Sequence, residues 1–180
     1  MSFVRSLPVA AALALAALVA PTETASAQRA PASPRDSVVT TIGGANLKVD
    51  YGRPSKRGRE IFGGLVPFGT VWRTGANEAT HFTTSKALRF GTTTVPAGRY
   101  TLYTLPEKDG KWMLIVNKQV GQWGTEYDKA QDLARIPLTT TQTPAVVEQM
   151  QIAVTAAGNG GELAVRWDRT KAAATFTVAP

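Results

Sequence analysis

The chain has 180 residues, none of them cysteine and only one, His81, a histidine. Without cysteine there is no disulfide, no thiol nucleophile, no thiolate metal site and no sulfur to carry a lipid anchor. A single imidazole leaves the usual zinc and haem ligand sets short of members, so neither a metal nor a cofactor is expected. A serine hydrolase is no better supplied. Beyond residue 27 the serines are Ser33, Ser37, Ser55 and Ser85, and none occupies a nucleophile elbow. Nucleotide loops are missing too, because Gly63-Gly64 is not part of a G-x-x-x-x-G-K pattern. Long apolar runs are also scarce. Val9–Ala20 is twelve residues, well short of the roughly 20 that a membrane-spanning helix needs.

That short run has another use. Arg5 precedes it, and Ala25-Ser26-Ala27 follows as a small-x-small cleavage site. Together they form a signal peptide over 1–27, with cleavage expected before Gln28. The mature protein is therefore expected in the periplasm or outside the cell, with no stable membrane span. Residues 28–36, rich in Pro, Ala, Ser and Arg, read as a flexible lead-in. Residues 37–180 are one domain's worth of chain. At that size about 68–70% of the unfolded surface is buried on folding, so a single apolar core suffices. The formal charge is +7, from 20 Lys and Arg against 13 Asp and Glu. In an exported protein that balance suits an envelope polyanion or a small polar or anionic ligand, and nucleic acid is not an expected partner.

What the mature sequence does contain is β pattern. Leu47, Val49 and Tyr51 alternate with Lys48 and Asp50 as a half-buried strand, paired through Gly43-Gly44 with Val38–Ile42. His81–Thr84, Ala87–Phe90, Thr92–Val95 and Tyr100–Leu105 read as further strands. Glu107-Lys108-Asp109-Gly110 is a hairpin signal, and Trp112–Val116 (WMLIV) is apolar on both faces, as a fully covered strand should be. A short helix is expected over Asp128–Ala134 and an edge strand from Ile136 to Thr143. Val146, Met150, Ile152 and Val154 share one strand face. Leu163, Val165 and Trp167 then face one way, with Phe176 and Val178 returning on the same apolar side. About ten short strands with little helical periodicity mean an all-β antiparallel sandwich or jelly roll. Trp112, Trp167 and Phe176 are core by size, each burial being worth about 1.5–3 kcal/mol.

One stretch breaks the alternation, Arg53–Thr80 (RPSKRGREIFGGLVPFGTVWRTGANEAT). Arg53, Lys56, Arg57 and Arg59 place four cations within seven residues, enough to attract a polyanion or simply to solvate a loop. Farther on, Arg73, Asn77 and Glu78 can assemble a polar site. Arginine offers a planar fork for a carboxylate or phosphate, Asn both donor and acceptor, and Glu an acceptor for sugar hydroxyls. Trp72 can lend a flat apolar face. The competing arrangement is internal, with Glu78 paired to Arg73 or a neighbouring Arg and Asn77 tying down the Gly75-Ala76 turn. Glu78 is also the one weak candidate for a catalytic acid or base, in a hydrolase or lyase with Arg73 or Arg53 as electrostatic support. His81 reads as a strand-surface residue. Pro96-Ala97-Gly98-Arg99-Tyr100 enters a strand much as a tyrosine corner does. Trp123, between Gly121 and Gly124, is expected to fold over the core because of its large apolar area, and with Tyr127 it otherwise extends the ligand-contact set.

The strings RPSKRGREIFGGLVPFGTVWRTGANEAT, PAGRYTLYTLP, WMLIVNK and GQWGTEYD occur in that order. In this the chain resembles the bacterial exported proteins grouped as domain of unknown function 2911. The most specific part is Trp72-Arg73-Thr74-Gly75-Ala76-Asn77-Glu78-Ala79-Thr80. The resemblance implies a single exported β-rich domain and adds no chemistry.

Overall fold

In the computed structural model, which describes residues 32–179, the strand Ala45–Gly52 follows the hydrophobic alternation of its sequence. The expected signal peptide, 1–27, and residues 28–31 of the expected lead-in lie outside the described residues, and the last two lead-in residues, Arg35 and Asp36, already belong to the first strand. Strand β1 (Arg35–Ile42) turns through Gly43 and Gly44, at φ of 56° and 74°, into β2 (Ala45–Gly52). Two consecutive left-handed residues are what a tight hairpin turn requires, and glycine takes them without steric cost. Leu47, Val49 and Tyr51 point into the core, as their spacing demands. β3 (Thr80–Thr84), β4 (Leu88–Phe90), β5 (Thr93–Val95), β6 (Gly98–Leu105) and β7 (Met113–Asn117) follow. β8 (Asp132–Pro137), β9 (Thr139–Ala157) and β10 (Gly160–Val178) complete the chain.

The strands form two antiparallel sheets, ordered β1-β2-β3-β6-β7-β8 and β5-β4-β10-β9. Between them lies one apolar cluster that includes Trp112, Trp167, Phe176, Leu102 and Tyr51. The expected all-β sandwich is thus the observed fold. Tyr100 behaves as a tyrosine corner, its hydroxyl donating to the Pro96 carbonyl at 3.0 Å.

Three local expectations are corrected. The helix placed over Asp128–Ala134 is only a three-residue 3₁₀ turn, Lys129–Gln131, capped by Asp128, whose carboxylate accepts from the Ala130 amide. Its other residues go to β8, because Ala134 and Ile136 are needed against β7. Val146 does not share the buried face of Met150 and Ile152, since the β9–β10 register shifts around Asp168 and turns it outward. His81 is not on an open strand surface. It is 8% exposed, because the segment 118–131 crosses the outer face of the six-stranded sheet and covers it, along with Thr101, Tyr103, Ile115 and Asn117.

The β2–β3 connection, 53–79, straps the two sheets together. Leaving β2, it pairs with the edge of β9, where the Met150 amide donates to Pro54 and the Lys56 amide to Glu148. It then returns to β6, where Trp72 and Thr104 exchange both backbone hydrogen bonds at 2.8 and 2.9 Å. A free sheet edge invites unwanted pairing, and here the strap covers part of it.

Candidate functional site

The far end of the strap is held by contacts that only particular residues permit. A Cβ on Gly52 would meet the Ala76 carbonyl oxygen at 2.1 Å, so the strap can close on β2 only over a glycine. Thr74, fully buried, shares a 2.7 Å hydrogen bond with the Thr104 hydroxyl, and its carbonyl accepts from the Thr80 hydroxyl at 2.8 Å. Asn77 adopts φ 63°, and its carbonyl accepts from the Gly124 amide at 3.0 Å. That pairing docks the 118–131 segment against the strap. A side chain on Gly124 would strike Arg73 Cδ at 2.6 Å and the Asn77 carbonyl at 2.7 Å.

Arg73 lies where the two segments meet. Its Nε donates to the Gly75 carbonyl at 3.3 Å, and among the described residues it has no carboxylate partner. It forms the wall between two hollows, which share Leu65, Val66, Trp72 and Arg73. The first, about 280 Å³, is lined by Arg59, Arg73, Asn77, Trp72 and Trp167 and by no acidic side chain. Arg59 also has no carboxylate partner there, its fork donating to the carbonyls of Lys56 and Ser55 at 2.9 and 2.6 Å. The second, about 260 Å³, is lined by Val71, Trp72, Arg73, Tyr103 and Tyr127, again with no acid. A larger hollow of about 450 Å³ lies elsewhere, between Phe90, Ile136 and Lys171. Its only charges, Lys171 and Glu162, neutralise each other at 2.7 Å.

The structure therefore brings Arg73, Trp72, Asn77 and Tyr127 around two adjoining hollows and leaves Arg53, Glu78 and Trp123 outside them. Arg53 is absorbed internally, bonded to Asp36 at 3.0 Å and to the Met150 carbonyl. Glu78 is an exposed partner of Arg35 at 3.1 Å, not of Arg73. Its own backbone amide and the Arg35 guanidinium hold its carboxyl below the usual range, so it stays ionised and is poorly suited to act as an acid near neutral pH. Trp123 does not fold over the core. Its backbone pairs with Glu78 and leaves the indole 48% exposed.

Trp72 offers less than a free ring face. It stacks on Trp167 with centroids 5.8 Å apart and planes 19° from parallel, and Phe62 meets its ring edge-on. Tyr127 donates to Asp132 at 2.7 Å and accepts from Arg135 at 2.9 Å. Burial, then the hydrogen bond and charge of Asp132, push its phenol up to about 12. Asn77 donates weakly to the Ser33 carbonyl at 3.4 Å.

The sequence model of the family described as "Protein of unknown function (DUF2911)" matches residues 33–176. The chain belongs to the DUF2911 family. Neither the curated proteins nor the solved structures include a match to this DUF2911 chain.

Nothing in the sequence marks Arg59 as a lining residue, since it stands in a row of four cations of which two, Arg53 and Lys56, find carboxylate partners among the described residues. Tyr103 was read only as part of a strand. Its outward position on β6 was visible in the alternation, but the segment that roofs it was not. Among the described residues no cluster of three or more His, Asp or Glu is placed to hold a metal ion, and no helix is long and apolar enough to cross a membrane.

Proposed function

We propose that this protein is an exported binding module for a small anionic ligand bearing a carboxylate or phosphate. One observation carries the reading. Among the described residues, two guanidinium groups without acidic partners, Arg59 and Arg73, border one hollow together with the Asn77 amide, and no carboxylate lines it. Each Arg spends part of its fork on backbone carbonyls and keeps terminal N–H donors for a ligand. The backbone around them is held by buried threonine hydrogen bonds and by Gly124, so little ordering accompanies binding.

The other readings draw less support. A hydrolase or lyase using Glu78 with Arg73 needs both at one site, whereas Glu78 is turned toward Arg35 and lines neither hollow. A polyanion-binding strap loses Arg53 and Lys56 to Asp36 and Asp168.

Thermal unfolding of the 28–180 domain with phosphate, acetate and citrate, against sodium chloride at equal ionic strength, tests the proposal. A ligand at 100 times its Kd stabilises by about 2.7 kcal/mol. That is a Tm rise of several degrees at this size, and Arg73→Met should remove it. Equal melting in all salts would refute the anion site. Export rests on the leader pattern at 1–27, and the N-terminus of protein recovered from a periplasmic fraction should be Gln28.

A further inference from the structure

Building on that anion site, we infer that the ligand is an aryl carboxylate, with its acid group on Arg73 and its ring in the adjoining hollow. Arg73 belongs to both hollows, so an anion held by its fork has the second space immediately beside it. That space, about 260 Å³, exceeds the roughly 150 Å³ in which an apolar cavity accepts a benzene ring.

Its walls suit a ring rather than a second polar group. Val71, Leu65 and Trp72 are apolar, and the half-buried Tyr127 contributes aromatic surface, with the buried Tyr103 ring behind it. Neither phenol is free to serve a ligand. Tyr103 donates to the Glu126 carbonyl at 3.1 Å and accepts from Gln122, while Tyr127 is tied to Asp132 and Arg135. The two rings meet edge-on, centroids 4.9 Å apart. Their orientation is thus set before any ligand arrives, and an incoming ring meets fixed aromatic partners. Among the described residues Arg73 is the only charged side chain lining the hollow, so the complementary molecule carries one negative charge and an otherwise apolar body. A guanidinium also stacks on aryl planes, which an alkyl chain cannot match.

Calorimetric titration of the 28–180 domain with acetate, hexanoate and phenylacetate separates this inference from the reading it rests on. Phenylacetate should bind at least tenfold more tightly than acetate and clearly more tightly than hexanoate. Thr125→Trp, at an exposed position on the wall of the second hollow, should erase the gain and leave acetate binding intact. Thr70→Trp blocks the same space from another segment and should act alike. Arg73→Met should abolish binding of all three acids. Equal affinities for acetate and phenylacetate, or a gain that survives both tryptophan blocks, would overturn the aryl assignment while leaving the anion site standing. Equal gain from hexanoate would overturn it as well, replacing the aryl ring with any apolar tail. Phenylacetate binding that persists in Arg73→Met would show that the acid group is not held there, overturning the inference. If no acid binds, the anion site fails and this inference falls with it.

Discussion

The two ends of the β2–β3 strap carry the same residue type and use it in opposite ways. At the front, Arg53 is bonded to Asp36 and Lys56 to Asp168 at 2.8 Å, while the amide of Arg57 donates to the Glu148 carboxylate. At the back, Arg73 has only the Gly75 carbonyl among the described residues and borders two hollows. Half of the dense cationic cluster, Arg53 and Lys56, is neutralised, whereas Arg59 and the isolated Arg73 keep their charge for a ligand. Charge density along a chain therefore says little about free charge. What decides it is whether strands far away in sequence deliver carboxylates to the same place, as β1 and β10 do for Arg53 and Lys56 and, among the described residues, no strand does for Arg59 or Arg73.

The harshest way to break that comparison is to remove the platform both ends share. Trp167 is fully buried, stacked on Trp72 and met edge-on by Phe62. Trp167→Ala should cost about 3–5 kcal/mol by chemical denaturation, and a loss under 1 kcal/mol would mean the strap does not depend on it. A smaller effect separates the two ends directly. Asp168→Asn keeps a residue tolerant of φ 53° but removes the charge that Lys56 meets, with both side chains mostly shielded from water. It should destabilise by about 1.5 kcal/mol. Arg73→Met, which keeps the packed stem, should stay within about 0.5 kcal/mol of the parent. Equal losses from the two substitutions would erase the distinction between structural and available charge.

The gentlest probe concerns the roof over the outer sheet face. Burial first, then the charges of Arg99 and Arg35, lower the proton affinity of His81, against a partial rise from Asp50. The unfolded chain takes up a proton near pH 6.5 that the folded protein resists. His81 therefore imposes no penalty above about pH 6.5, and stability falls as the pH drops through that value toward the lower folded pKa. Between pH 5 and 7 the Tm of His81→Gln should vary less with pH than that of the parent. Parallel slopes would show that the 118–131 segment does not shield the ring.

Much of the scaffold is legible in the residues alone. Leu47, Val49 and Tyr51, the Gly43-Gly44 turn and the final hairpin each carry local patterns of period two or positive φ, and WMLIV is apolar throughout; those patterns survive in the fold because sheet faces must be buried. The Pro96–Tyr100 corner is equally local, its two partners four positions apart. The strap was recognisable as the place where alternation stops, and Arg73, Asn77, Trp72 and Tyr127 were recognisable as chemistry worth watching.

Sequence by itself determined the all-β architecture, the apolar faces and the position of the irregular segment, because backbone geometry ties side-chain direction to neighbours a few residues away. Tertiary structure alone decided that Glu78 meets Arg35 across 43 residues and Lys56 meets Asp168 across 112. It also decided that Trp72 spends its face on Trp167, that Trp123 stays exposed and that, among the described residues, Arg59 and Arg73 are left without an acid. Charge neutralisation and ring stacking act between side chains brought together by sheet packing, and no periodicity along a strand encodes which distant partner will arrive.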